Sequence, residues 1–176
     1  MALIKTYKQF TPQINPTVFL AENATIIGDV EIGAGSSIWY FTVLRGDVGA
    51  IRIGERTNIQ DGAIVHCTTG LTPSIIGNDC VIGHQAIIHG ATIEDEVLIG
   101  MGAIVLDQAV VPRHTIVAAG ALIPQGTILE SGYMYAGIPA KKIKPLSSQQ
   151  IEMIRMGAVH YVENGKAHAE SKVIHF

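Results

Sequence analysis

The sequence predicts an all-β solenoid, a parallel β-helix of triangular cross-section, followed by one C-terminal α-helix. Three observations lead there. Aliphatic residues recur every six positions along most of the chain, small or β-branched residues recur four positions after them, and the repeat ends near Glu130, where glycine and proline give way to a capped helical pattern.

The aliphatic series runs Leu20, Ile26, Ile32, Ile38 and Leu44, then Ile53, Ile59 and Val65, then Ile76, Ile82 and Ile88. It slips by one position and continues at Ile93, Ile99, Val105, Val111, Val117 and Ile123. Ala24, Thr42, Ala63, Cys80, Ala86, Ala103 and Ala121 are among the small partners, and glycine often follows the aliphatic, as at Gly33, Gly54, Gly77, Gly83 and Gly100. Neither a helical period of about 3.6 nor simple alternation accounts for this pattern. A unit with one large inward residue, one small inward residue and a tight corner is that of a parallel β-helix. Three units close a coil of about 18 residues, and coils stack at about 4.8 Å, the spacing of paired strands. A sandwich of short strands would instead place turn signals about every 8–12 residues.

Two interruptions are expected to leave the prism as loops, which in solenoids often lie on the binding side. Nine positions separate Leu44 from Ile53, so residues 45–52 should bulge by three. Eleven separate Val65 from Ile76, so residues 66–74 should form a loop with Gly70 and Pro73 at its tip. Beyond Glu130, Gly132, Gly137 and Pro139 turn the chain away. Ser147 with Gln150 three residues on is a capping-box signal, and Ile151, Ile154, Ala158 and Val162 share one helical face. The chain therefore divides into a β-helix domain with a short N-terminal segment (residues 1–146), a helix packed along the outside of the prism (147–165) that stops at Asn164 and Gly165, and a tail (166–176) with no clear pattern, free to fray.

Composition narrows the function classes. The 176 residues make one domain, 48% hydrophobic and only 15% charged, against a usual charged share of about 25%. So sparse a charge suggests surface covered by other subunits. With Lys+Arg 12 against Asp+Glu 15, net −3, and no basic run, nucleic acid is not an expected partner. Neither is a membrane, because no run approaches the roughly 18 apolar residues of a span and residues 1–10 lack a signal-peptide core. A soluble cytoplasmic protein is expected, with Cys67 and Cys80 as free thiols.

Every third unit returns to the same face, so Leu44, Val65 and Ile88 share a column and Ile59 and Ile82 share another. The residue after each aliphatic points outward, which puts Arg45, His66 and His89 in one outward column, spaced by about 5 Å. Gln60 lies on the second column, with Asp61 and His84 stacked at its corner. Two imidazoles one rung apart can converge on one ion at about 2.0–2.1 Å from zinc. His84 lies on a neighbouring face and reaches that point only from another copy. If three prisms pack side by side, the His84 corner of one can face the His66 and His89 column of the next; the site would then require a homotrimer and occur three times in it. His114, His160, His168 and His175 are read as ordinary surface residues, and Cys67 is not taken as a fourth ligand because strand neighbours point to opposite sides.

Leu44, Arg45, Gly46 and Asp47; Asn58, Ile59, Gln60, Asp61 and Gly62; His66; and Gly83 and His84 with His89 five residues on together resemble the γ-class carbonic anhydrases. The resemblance covers about residues 10–145, and Tyr135 with residues 137–141 looks like that family's exit from the prism. It implies the left-handed sense of the hexapeptide-repeat proteins, where crossover rules alone would favour the right-handed one. It also implies His66, His84 and His89 as metal ligands, Gln60 in contact with metal-bound solvent or bicarbonate, and Arg45, Asp47 and Asp61 as a charged network across the subunit boundary.

The implied activity is reversible hydration of carbon dioxide to bicarbonate by hydroxide on the metal. Zinc is the expected cofactor, with iron or cobalt as alternatives; a water pKa near 7 is the established behaviour of three-histidine zinc sites and not a result read from this sequence. The chain departs from the family pattern in proton transfer. Val48 follows Asp47 where a glutamate is usual, and residues 67–74 hold no carboxylate. Slow hydration is therefore expected. Other or no activity on the same metal fold (thioester hydrolysis, a scaffold role) and a metal-free hexapeptide-repeat acyltransferase remain open.

Overall fold

The structure is a computed structural model that describes residues 1–172. The six-residue units build a left-handed β-helix of about seven coils. Two long strands, Thr25–Ile32 and Val43–Ile53, turn a corner of the triangle, so the first and second faces form one eleven-stranded sheet. The third face is a separate eight-stranded sheet from Phe19–Leu20 to Tyr133–Gly137, closed by the antiparallel strand Ala140–Pro145.

The register follows the six-residue count. On the first face Ile26, Leu44, Val65, Ile88, Val105 and Ile123 are successive ladder partners, and all are fully buried. On the third face Ile38, Ile59, Ile82, Ile99 and Val117 stack the same way. Each such side chain removes about 1.5–3 kcal/mol worth of apolar surface from water, and the stack is continuous because each coil covers the one before it. Two inward hydroxyls at the corners are satisfied by the next coil: Thr42 Oγ1 donates to the Gln60 carbonyl at 2.9 Å and Thr57 Oγ1 to that of Gly77 at 2.7 Å, whereas the buried Thr115 hydroxyl has no partner among the described residues. Gly54 is required where coils touch backbone to backbone, since a Cβ there would lie 2.6 Å from the Gly77 carbonyl carbon.

The first interruption differs from expectation. Residues 45–52 do not leave the prism as a loop but stay extended within Val43–Ile53. Gly46 pairs with Gly28 and Ile51 with Val30, so residues 47–50 oppose the single residue Asp29 at the corner. Burial of Ile51 is the reason the strand is not released. The second interruption does form a loop, between His66 and Ser74.

The helix spans Ser148–Glu170, with the Ser147 and Gln150 capping box formed. It passes through Gly165 instead of ending there, because Gly165 is a point of close approach: a Cβ would stand 3.1 Å from Phe19 Cβ. Helix and third face join through Trp39, whose ring packs edge-on against Tyr161 and His168. His168, exposed at the surface as expected, also meets the Tyr40 hydroxyl at 3.1 Å. The expectation for His175 falls outside the described residues. No helix among the described residues is long and apolar enough to cross a membrane.

At the corner between the second and third faces, left-handed turn residues pair along the stack: Arg56 makes two hydrogen bonds to Asp79, at 2.7 and 2.8 Å, and Glu96 meets His114. Arg155 of the helix joins Glu96 at 3.1 Å, and Arg113 lies 3.8 Å away. His114, read as a plain surface residue, is thus one partner in an ionic cluster. Glu96 is held below the ordinary carboxylate range chiefly by Arg155, with burial opposing and His114 assisting. A carboxyl lowered in this way stabilises the fold above its unfolded pKa of about 4.3 and loses that contribution as pH falls through its folded value. Glu96→Gln should therefore cost about 1–2 kcal/mol in urea unfolding at pH 7. The gap to wild type should narrow below about pH 4; a gap unchanged at pH 3 would contradict the ion-pair account.

Candidate metal centre

Strands Ile64–His66 and Ile87–His89 are parallel neighbours in register, and this alone sets His66 beside His89. His66 Nδ1 and His89 Nε2 face each other at 3.2 Å. Each ring is held from behind by a carboxylate. His66 Nε2 lies 3.0 Å from Asp47 Oδ1, and His89 Nδ1 lies 2.8 Å from Asp107 Oδ2. Arg45 completes the near end by donating to Asp47 Oδ2 at 2.6 Å.

The electrostatics fix the tautomers. Burial works to raise Asp47, but hydrogen bonds from Arg45 and His66 outweigh it and hold the carboxyl below its usual range. Asp107 is likewise low, burial being overcome by bonds from His89 and the Thr68 amide. Ionised carboxylates only accept, so the ring nitrogens facing them carry the protons. Were both rings neutral, the two facing nitrogens would each present a lone pair, an arrangement suited to a cation between them. Two nitrogens bound tetrahedrally at about 2.0–2.1 Å from zinc stand roughly 3.3 Å apart, close to the observed 3.2 Å. The donor set therefore fits a metal ion.

His84 is placed elsewhere. It sits at the corner between the third and first faces, its Nδ1 2.8 Å from Asp61 Oδ2. Gln60 is one residue from Asp61 and buried, donating to Asn58 Oδ1 at 3.0 Å, while Asn58 donates to the Cys80 carbonyl. The structure thus brings together Arg45, Asp47, His66 and His89, and sets Gln60, Asp61 and His84 at a different corner. Arg45 pairs with Asp47 of its own chain, while Asp61 takes His84. Among the described residues no three His, Cys, Asp or Glu side chains of one chain form a metal-binding group. Cys67 is fully buried and its thiol is pushed up by burial.

Two contributors are absent from the sequence analysis, and a third, Asn58, enters it only within a motif and with no role of its own. Asp107 lies 18 positions after His89, one coil on, and coil counting could have flagged it. Ser74 Oγ bridges the two histidine strands, donating to the His66 carbonyl and accepting from the Gly90 amide at 2.9 Å. Asn58 braces Gln60, and nothing in the repeat distinguishes it from other outward residues. Between the two corners runs an outward aliphatic column, Val43, Ile64, Ile87, Ile104 and Leu122, with Ile64 41% exposed.

Residues 73–107 match the family described as hexapeptide repeat of succinyl-transferase. The chain is 46% identical over 163 residues to gamma carbonic anhydrase 1, mitochondrial, of Arabidopsis thaliana; the match covers 90% of this chain but 59% of that longer relative. It is 45% identical over 164 residues to a carbonic anhydrase of Geobacillus kaustophilus, covering 93% of this chain and 90% of that one. Among solved structures, a hexapeptide transferase family protein from Anaplasma phagocytophilum superposes with a TM-score of 0.90 at 40% identity, covering 94% and 98% of the two chains. With the coil register and the paired histidines, these likenesses show that the chain belongs to the γ-class carbonic-anhydrase-like family of left-handed β-helix, hexapeptide-repeat proteins.

Proposed function

We propose that the chain is a zinc-dependent γ-class carbonic anhydrase acting as a homotrimer, with each site made by His66 and His89 of one copy and His84 of the next. The observation that carries this reading is the pair of facing ring nitrogens at 3.2 Å, each imidazole backed by a carboxylate. The outward aliphatic column supports the assembly. It lies on the face whose two edges carry His66 with His89 on one side and His84 on the other, so copies that bury it bring unlike edges together. A heterologous contact that repeats around a closed ring is the geometry such a site needs.

When bound, zinc would supply Lewis acidity and make a hydroxide nucleophile available near neutral pH. The chain's own groups set the rest. Asp47 and Asp107 keep the protons on the outer ring nitrogens, leaving the inner ones free to ligate. Arg45 keeps Asp47 ionised. Asp61 orients His84 through Nδ1. Gln60, braced by Asn58, would hold the reacting oxygen by hydrogen bonding. The weak point is the proton released by hydration, since residues 67–73 offer no carboxylate to take it. Buried, unpaired Cys67 and Cys80 suit a reducing compartment such as the cytoplasm.

Freshly purified protein should carry about one zinc per chain, and His84→Ala should lose most of it while remaining folded; full zinc occupancy in that variant would refute the shared site. In stopped-flow assays, hydration by the zinc-loaded trimer should be slow and should accelerate with added imidazole, a soluble proton acceptor standing in for the missing group. A rate equal to the buffer blank at every imidazole concentration would sink the carbonic anhydrase reading.

A further inference from the structure

The Asp107 carboxylate does more than meet His89. Its Oδ2 accepts from His89 Nδ1 at 2.8 Å and from Thr68 Oγ1 at 3.3 Å, and its Oδ1 accepts from the Thr68 amide at 3.2 Å. Thr68 lies at the start of the loop that follows His66, so one carboxylate ties the second histidine to the segment that leaves the first. The reach depends on Gly90. Gly90 lies beside Asp107 at positive φ, and a Cβ there would collide with the carboxylate. The far end of the loop is fastened to the same coil, with Thr72 Oγ1 donating to the Gly90 carbonyl and Ser74 Oγ bridging His66 and Gly90. Asp107 is 12% exposed, and among the described residues it has no counter-ion besides these donors and the imidazole.

We propose that Asp107 is a positioning residue that couples the loop of residues 67–73 to the metal centre, so that an anchored loop strengthens metal binding and bound metal steadies the loop. The inference rests on the zinc reading above. The coupling is reciprocal: whatever factor loop anchoring contributes to metal affinity, metal contributes to anchoring. The carboxylate has enough acceptor sites for all three donors. An amide keeps only one of the two oxygens and turns an NH2 toward the other donors, so Asp107→Asn must give up either the Thr68 amide or the His89 imidazole together with the Thr68 hydroxyl.

The test measures zinc affinity by chelator competition, the visible spectrum of the cobalt-loaded trimer, and proteinase K nicking within residues 67–73, with and without metal. Asp107→Asn should weaken zinc binding by about 10- to 100-fold, alter the cobalt bands and speed nicking even in metal-free protein. Thr68→Val, which leaves His89 untouched, should speed nicking and weaken zinc binding by a few fold. Metal should slow nicking in wild type more than in either variant. Wild-type nicking rates in both variants would overturn the anchoring, and loss of affinity in Asp107→Asn with none in Thr68→Val would overturn the coupling. A wild-type chain that takes up no metal, seen directly by metal analysis, would overturn the zinc reading and the coupling with it, while the metal-free nicking still reports on the anchor.

Discussion

The parallel ladder between Ile64–His66 and Ile87–His89 is the constraint on which the site depends. Side chains at equivalent positions of adjacent parallel strands must sit about 4.8 Å apart at the backbone. Two imidazoles leaning together from that spacing bring ring nitrogens to 3.2 Å. No loop has to be ordered and no long side chain immobilised to reach that geometry. The aliphatic columns that stabilise the prism also hold the ladder in register, since a one-residue slip would turn Val65 and Ile88 outward and the histidines inward. Fold stability and ligand placement are the same property here.

The prism also explains why a single chain sets His84 apart from His66 and His89. A coil has three corners, and residues stacked at one corner cannot reach another across a core packed with isoleucine and valine. His66 and His89 belong to the first-to-second corner and His84 to the third-to-first. Each histidine is nonetheless prepared separately by a carboxylate one or more coils away: Asp47, Asp107 and Asp61. Each ring is therefore braced within its own chain, and the proposed assembly would have only to bring prepared edges together. The aliphatic column between those edges would give that proposed assembly a driving force of its own.

Columns were legible in the sequence because a six-residue period leaves no freedom once the faces are counted; Leu44, Val65 and Ile88, and Ile59 with Ile82, fall where the spacing puts them. The stacking of Asp61 on His84 was equally visible. Side-chain destinations beyond a corner were not. A coil count stacks Asp107 on His89, but its further reach past Gly90 to Thr68 depends on a missing Cβ in a neighbouring coil, which no count along one strand displays. Residues 45–52 looked like a loop because they broke the period, yet Ile51 is buried and keeps the segment extended. Gly165 looked like a helix stop because glycine often is one, whereas tertiary contact with Phe19 gave it a different use.

The central claim is that metal binding requires two chains, and mixed trimers test it most directly. His66→Ala and His84→Ala chains, each folded and each nearly empty of zinc alone, are unfolded together and reassembled in equal amounts. Random mixing around a closed ring places an intact His66 edge against an intact His84 edge at about a quarter of the interfaces. The account predicts zinc occupancy near a quarter of wild type in the mixture. Occupancy no higher than in the separate variants would contradict it, because only a site built within one chain fails to be rescued by a partner carrying the missing histidine.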